Sequence, residues 1–273
     1  MPDVHGHASI GSVTATVAHL FGTAPPLLSA EAPLPEVVLR QSELLNASTV
    51  DRCLVFCPDA LGAHIWPKCG VNHADTIEKY APQRVSLSSV MPPKTPVCFA
   101  SMFTGGPPAA HGIRHYERPV LKCDTLFDAL LRANRSIAIV AVANSSIDLI
   151  FRGRAMDYFS EADDRAAERR AVSVIRESRH NLVLVYQQEY DDLLHATNPF
   201  SDQCIDAVSH HLHSFVVLAE EAAMAWAASN YAIVFAPDHG AHVCSSTGHG
   251  DHGEDIPEDV DLFHWYGIWP ASQ

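Results

Sequence analysis

Three apolar runs in this chain each end on, or just short of, an aspartate, and this repeated arrangement restricts the fold more than any other feature. The first is Arg52-Cys-Leu-Val-Phe-Cys-Pro-Asp59, in which Leu54, Val55 and Phe56 form the apolar run and Pro58 stops the ladder of backbone hydrogen bonds. Tyr231-Ala-Ile-Val-Phe-Ala-Pro-Asp238-His239-Gly240 repeats it closely, and Asn181-Leu-Val-Leu-Val-Tyr-Gln-Gln-Glu-Tyr-Asp191 more loosely. Short continuous apolar runs of this kind predict strands buried on both faces, the condition of a parallel sheet. Open α/β sheets hold ligands and metals outside the carboxyl ends of their strands, which is where the three aspartates fall.

The stretches between these strands read largely as helices. Ile10, Val13, Val17, Leu20 and Phe21 share one helical face over residues 8–21, and Gly22 ends the run. Residues 23–50 are rich in Pro and Ala, with an apolar patch at 37–39, and are expected to wrap the surface irregularly. A short helix near 76–80 and a strand over 84–88 follow. Pro96 directly after Thr95 predicts a helix over 95–104 with Thr95 as its N-cap, stopped by Gly105-Gly106. Thr95 then lies on a helix N-terminus, where the dipole and free N–H groups favour anions. Helices are expected over 124–134, 161–178 and 201–229, and strands over 136–143, 181–187, 231–236 and 261–269. Strands alternating with helices predict an α/β fold: a largely parallel central sheet with helices on both faces, as one domain over residues 1–273.

Composition removes several classes of function. A chain of 273 residues is long enough to bury a full core, and its net charge of −14 argues against a nucleic-acid-binding surface. The seven cysteines are odd in number and contain no C-x-x-C pair; Cys53, Cys57 and Cys98 sit in apolar stretches. Such cysteines are expected to be reduced and mostly buried, which suggests a cytoplasmic protein. No stretch reaches about 18 apolar residues, and no basic region precedes one, so neither a membrane span nor a signal peptide is expected.

Seventeen histidines invite a metal reading only where their spacing supports it. Asp191 and His195 are four apart and share a face if that turn is helical. Asp238-His239 places two ligand types at a strand end, and Gly248-His-Gly-Asp-His252 brings imidazoles into a Gly-rich loop. His and carboxylate donors suit Zn²⁺ best, with Mn²⁺ as the runner-up.

These motifs, in this order, resemble the alkaline phosphatase superfamily, nearest its nucleotide pyrophosphatase/phosphodiesterase branch. The resemblance covers roughly residues 51–268. It rests on Asp59, on Pro93-Lys-Thr95-Pro running through Gly105-Gly-Pro-Pro-Ala-Ala-His111-Gly112-Ile113, on Tyr186 to Asp191-x-x-x-His195-x-x-x-Pro199, on Asp238-His239-Gly240 and on His252-Gly253-x-Asp255-x-Pro257-Glu258. It implies a three-layer α/β/α fold and a two-metal phosphohydrolase acting on a small phosphoester, with phosphodiester or pyrophosphate favoured over monoester. Asp59, Thr95, Asp238 and His239 would form one metal site; Asp191, His195 and His252 would form the other. Thr95 would attack phosphorus and form a phospho-threonine, while two cations about 4 Å apart clamp the attacking and leaving oxygens. His249 is the rival to His252, which is preferred for the residues that follow it. Asp192 is the rival to Asp191, and His242 reads as a supporting or surface residue. Sulfatases of the superfamily resemble the chain less, since they need a modified Cys or Ser where Thr95 stands.

The chain also departs from the family's pattern. Where that branch usually carries an Asn that binds a phosphoryl oxygen, this sequence has Tyr116, and Lys94 and Arg114 are further candidates to meet the substrate. Insertions that shape substrate pockets in relatives are missing. The helix over 8–21 resembles one that the family places after its last strand, which suggests a circular permutation packing it beside residues 261–269. Within the same resemblance a phosphomonoesterase or phosphomutase is the alternative activity. A metal-binding module without turnover is the alternative class.

Overall fold

Cys53, Val55 and Cys57 face one side of the central strand and Leu54 and Phe56 the other, and all five are fully buried. The same alternation recurs in the strands on either side of it, so the sheet separates two hydrophobic cores. Each fully buried side chain of this size contributes roughly 1.5–3 kcal/mol. The computed structural model describes residues 7–46, 48–69 and 73–272.

Along the chain the elements are β1 (Ala8–Ser9), α1 (Ser12–Leu20), α2 (Pro35–Leu45), β2 (Arg52–Pro58), α3 (His73–Glu78), β3 (Gln83–Ser88), α4 (Thr95–Thr104), α5 (Pro108–His111), α6 (Leu126–Arg132), β4 (Ile137–Val142) and α7 (Ser146–Ile150). There follow β5 (Asp157–Glu161), α8 (Asp164–Glu177), β6 (Leu182–Gln187), α9 (Glu189–Ala196), α10 (Asp202–Ala225), β7 (Tyr231–Phe235), β8 (His242–Val243), β9 (Gly250–Asp251), α11 (Pro257–Val260) and β10 (Asp261–Trp269). Eight strands form one sheet in the order β1-β3-β10-β7-β2-β6-β4-β5. All neighbours run parallel except β10, which is antiparallel to both β3 and β7. Helices α1, α2, α4, α6 and α7 cover one face and α3, α8 and α10 the other, giving the expected three layers. The strands β7, β2 and β6, which deliver Asp238, Asp59 and Asp191, are adjacent at the centre, with Cys53 opposite both Leu182 and Ala232.

Three expectations need correction. Residues 23–50 are not irregular throughout, because α2 begins at Pro35 and buries Val37, Gln41 and Leu45 at a spacing of four. Its signal starts only after the Pro-rich stretch, so averaged composition hides it. Thr95 is not an N-cap: Lys94 holds that position in extended backbone, and its carbonyl accepts from the N–H groups of Val97 and Cys98. The Thr95 hydroxyl, although buried, is thereby not spent on its own helix. Of the two N-terminal helices it is α2 that lies against β10, whereas α1 packs on α4, α2 and α6, and its approach joins the sheet through β1 beside β3. The strand β5 and the helix α7 have no counterpart in the sequence reading. β5 is a short edge strand of mixed polarity, for which periodicity carries little signal.

Two buried histidines give the fold an acid limit. The His211 ring donates from Nδ1 to Gln187 Oε1 (3.0 Å) and accepts the Tyr190 N–H at Nε2 (3.2 Å), and His264 Nε2 donates to the Pro237 carbonyl (2.7 Å). Burial pushes His211 down to about 3 and His264 to about 4. Both pKa values lie below that of an unfolded histidine, so their contribution is whole above pH ~6.5 and is lost as pH falls. Between pH 6.5 and pH 5 the unfolding free energy from urea titration is expected to fall by up to about 2 kcal/mol more in the wild type than in a variant in which one of these rings is replaced. Identical pH dependence in the two would contradict this arrangement.

Candidate metal centre

Asp59 is carried just past the end of β2 and Asp238 three residues past β7. Asp191 lies in the first turn of α9, after β6, with His195 one turn later. His239 follows Asp238, and His252 leaves β9 into a loop that crosses toward α4. Thr95 opens α4. These seven side chains come from five separate stretches of chain and meet at the carboxyl edge of the sheet. Asp59, Thr95, Asp238, His239 and His252 are each 4% exposed or less, so what they present to one another is not shared with solvent.

Each imidazole is oriented by its backbone partner. His239 Nδ1 donates to the Gly240 carbonyl (3.0 Å), His252 Nδ1 to the Pro93 carbonyl (2.8 Å) and His195 Nδ1 to the Gly250 carbonyl (3.2 Å). A carbonyl only accepts, so in the neutral rings the proton sits on Nδ1 and the Nε2 lone pair faces inward. His239 Nε2 lies 3.3 Å from Asp59 Oδ1 and 3.4 Å from Asp238 Oδ2. Asp191 Oδ1 lies 3.5 Å from His195 Nε2 and 3.4 Å from His252 Nε2, and those two nitrogens are 3.2 Å apart. These approaches are not ion pairs, because burial holds His239 well below and His252 down to about 3, leaving both uncharged. Asp59 Oδ1, Asp191 Oδ1 and Asp238 Oδ2 are buried without any hydrogen-bond donor. Lone pairs therefore face lone pairs across the whole cluster.

That arrangement is costly as it stands, since buried acceptors without donors lose their hydration for nothing in return. Burial first, and then the neighbouring carboxylates, drive Asp59 and Asp238 well above the ordinary range and Asp191 to about 8. A cation relieves all of these tensions at once. Ligand atoms lie within 4.8 Å of one another in two groups, Asp191/His195/His252 and Asp59/Asp191/His239, so the residues fit divalent ions. The first group coincides with one of the two sets expected from sequence. Asp238 joins the second through its contact with His239.

Thr95 Oγ1 stands 3.2 Å from His239 Nε2 and 3.4 Å from Asp59 Oδ2. Among the described residues its own N–H makes no hydrogen bond, so a donor as well as a hydroxyl faces the cluster. Lys94 reaches across to the other side, donating from Nζ to the His252 carbonyl and lying 3.6 Å from Asp251. Tyr116 is 61% exposed at the rim, close enough for Asp59 and Asp191 to raise its pKa after burial has done so. Arg114 is exposed and has no acidic partner among the described residues; the structure does not tie it to the cluster. Of the rivals, His249 and Asp192 are exposed, and neither belongs to either group of ligand atoms. His242 donates from Nδ1 to Asp259 (2.8 Å) outside the cluster.

Two participants escaped the sequence reading. The Tyr186 hydroxyl donates to Asp59 Oδ2, turning the other oxygen toward His239. Tyr186 opens the block that carries the family resemblance, yet nothing in the sequence assigned it this contact; its register on β6 is shared with Leu182 and Leu184. Asp259, fully buried, accepts from His242 and from the N–H groups of Gly253 and Glu254 (2.8 and 2.9 Å), fixing the loop that carries His252. Gly240 has a different task. A Cβ there would lie 2.0 Å from the Glu258 carbonyl oxygen, so only glycine lets this backbone pass. Gly240→Ala is expected to lower stability by about 3 kcal/mol, read as a drop of roughly 6–12 °C in melting temperature.

A three-layer α/β/α sheet with a carboxylate–imidazole cluster at the ends of its central strands defines the class. Its architecture is that of the alkaline phosphatase superfamily. Murine ectonucleotide pyrophosphatase/phosphodiesterase 5 superposes with a TM-score of 0.58 at 19% identity, over 71% of this chain and 58% of that one. Phosphonoacetate hydrolase from Sinorhizobium meliloti 1021, in complex with phosphonoacetate, gives 0.52 at 18% over 70% and 56%. The C-terminal periplasmic domain of EptC from Escherichia coli gives 0.52 at 12% over 82% and 74%. This chain thus spans little more than half the length of the first two. No protein-family model matches the sequence, and no curated protein matches it. No helix among the described residues is long and apolar enough to cross a membrane.

Proposed function

We propose that this chain is a metal-dependent phosphoric ester hydrolase that cleaves phosphodiester or pyrophosphate bonds through a phospho-threonine on Thr95. The observation that carries the proposal is the inward convergence of unpartnered carboxylate oxygens and Nε2 lone pairs around one buried hydroxyl. Asp59, Thr95, Asp238 and His239 would hold one divalent ion and Asp191, His195 and His252 the other, Zn²⁺ by preference and Mn²⁺ next. When bound, such a pair supplies positive charge that neutralises a phosphoryl group and acidifies an oxygen held beside it. Thr95 Oγ1 attacks phosphorus while the bond from phosphorus to the leaving oxygen breaks, and its proton has an acceptor in Asp59 Oδ2. The free N–H of Thr95 and the N-terminus of α4 favour the phosphoryl oxygens. Water then cleaves the phospho-threonine, releasing phosphate or a phosphomonoester and restoring the hydroxyl. Tyr116 would donate to a phosphoryl oxygen at the rim, Lys94 adds positive charge beside it, and Arg114 is the remaining candidate to meet the substrate.

The neighbours agree with this chemistry as far as their names go: one is a pyrophosphatase/phosphodiesterase, and an inactive threonine-to-alanine variant of it is in complex with AMP. Seven free cysteines, five of them buried, support a reducing cytoplasmic setting. A single domain over residues 1–273 is part of the same proposal. Elemental analysis and a phosphoester panel test it. Two equivalents of metal and turnover of bis-p-nitrophenyl phosphate or a dinucleotide pyrophosphate above p-nitrophenyl phosphate are expected. Metal without turnover of any of them would favour the binding module instead.

A further inference from the structure

Helix α9, which carries Asp191 and His195, has no cap of its own. Its N-cap residue Gln188 makes no side-chain cap hydrogen bond. The orphan N–H groups at its start are satisfied by two other helices. Asp164, at the beginning of α8, accepts from the N–H of Gln188 (3.0 and 3.1 Å to its two oxygens) and from that of Glu189 (2.8 Å). His211, in the middle of α10, accepts from the next N–H, that of Tyr190 (3.2 Å). The two capping residues are themselves linked through Gln187, the last residue of β6. It accepts from His211 and donates to the Asp164 carbonyl (3.0 Å) and to Ser214 (3.1 Å), which in turn donates to Glu168 (2.6 Å). The Asp164 side chain is 11% exposed and that of His211 0%. One buried network therefore sets where α9 begins, and with it the placement of two ligand atoms.

We infer that Asp164 and His211 are positioning residues for the Asp191/His195/His252 metal site, acting as caps supplied in trans to the helix that presents two of its three ligands. A helix start held from outside can be displaced without unfolding the sheet, because β6 is secured independently by its pairing with β2 and β4. Loss of either cap lets the first turn of α9 shift, and Asp191 stands in that turn. Of the other set, Asp238 and His239 follow β7 outside the network, Asp59 meets it only through its N–H, which donates to the Gln187 carbonyl (2.9 Å), and Asp191 lies within ligand reach of Asp59 and His239. The caps therefore bear on that site through fewer of its ligands. This inference rests on the two-metal reading above.

The test is a calorimetric titration of chelator-treated protein with Zn²⁺, on wild type, Asp164→Ala, Asp164→Asn and Thr125→Ala. Thr125 caps α6, which bears no ligand, and so controls for the loss of a cap as such. Asp164→Ala is expected to weaken one of two binding events by roughly 10–100-fold and the other, which shares only Asp191 with it, distinctly less. Asp164→Asn, which keeps an acceptor oxygen, should recover part of that loss. Thr125→Ala should melt earlier with both events intact. Equal weakening of both events in Asp164→Ala, or none, overturns the inference while the two-metal reading stands. A wild type that takes up no Zn²⁺ removes that reading and this inference together.

Discussion

Replacing Thr95 with alanine is expected to abolish phosphoester hydrolysis, lowering turnover by roughly four orders of magnitude or more, while bound metal stays at the wild-type level. The hydroxyl stands 3.2 Å from His239 and 3.4 Å from Asp59, whereas the Tyr186 phenol is turned onto Asp59 and burial pushes its pKa well up. Cys98, one turn further along α4, is fully buried and bonded to Ser89, and burial pushes its thiol well up; it cannot substitute. Three carboxylates and three imidazoles remain to hold metal, and the lost hydroxyl makes no bond on which the fold depends. Stability should therefore change by no more than about 1 kcal/mol. Rates on bis-p-nitrophenyl phosphate, read beside elemental analysis, separate the roles. More than about a tenth of wild-type activity in the variant would remove Thr95 from the reaction, since a missing nucleophile costs far more than tenfold.

Stripping the metal should have the second largest effect, on stability as well as activity. Without a cation the cluster holds buried carboxylate oxygens that lack donors and two Nε2 lone pairs 3.2 Å apart. Ligand that binds only the folded state stabilises by about 2.7 kcal/mol when present at a hundred times its Kd. Restoring Zn²⁺ at that ratio to chelator-treated protein should raise the melting temperature by roughly 5–10 °C. Hydrolysis should return in the wild type only. The Thr95→Ala variant should show the same thermal shift with no activity, so metal binding and chemistry are read separately. A melting temperature indifferent to chelator and Zn²⁺ would mean that the cluster does not bind divalent ions.

Much of the fold was legible because its signals are local. β2, β6 and β7 announce themselves as short apolar runs closed by Pro or Gln, and the structure places them side by side in parallel with their alternating faces in two cores. The order of the motifs likewise pointed to the superfamily whose fold the chain has. Where the signal was weak, tertiary context decided. α2 was hidden by the prolines before it, and β5 exists because β4 offers an open edge. The cap of α4 went to Lys94 because the Thr95 hydroxyl turns toward the cluster and does not close on its own helix. Spacing could propose Asp191 and His195 as a pair, since four residues make one helical turn. It could not find Tyr186, Asp259, Asp164 or His211, whose partners lie between 17 and 127 positions away or on other elements.

By itself the sequence determined the chemistry available: which carboxylates end strands, which imidazoles stand near them in the chain, and that one hydroxyl opens a helix. Those are properties of neighbouring residues, set by periodicity and backbone preference. Only the tertiary structure decided that seven such groups face one another with their lone pairs inward, and that His252 rather than His249 is among them. Convergence of that kind depends on strand order, on ring orientation by backbone carbonyls and on close passages such as that at Gly240. None of these is encoded within a single stretch of chain.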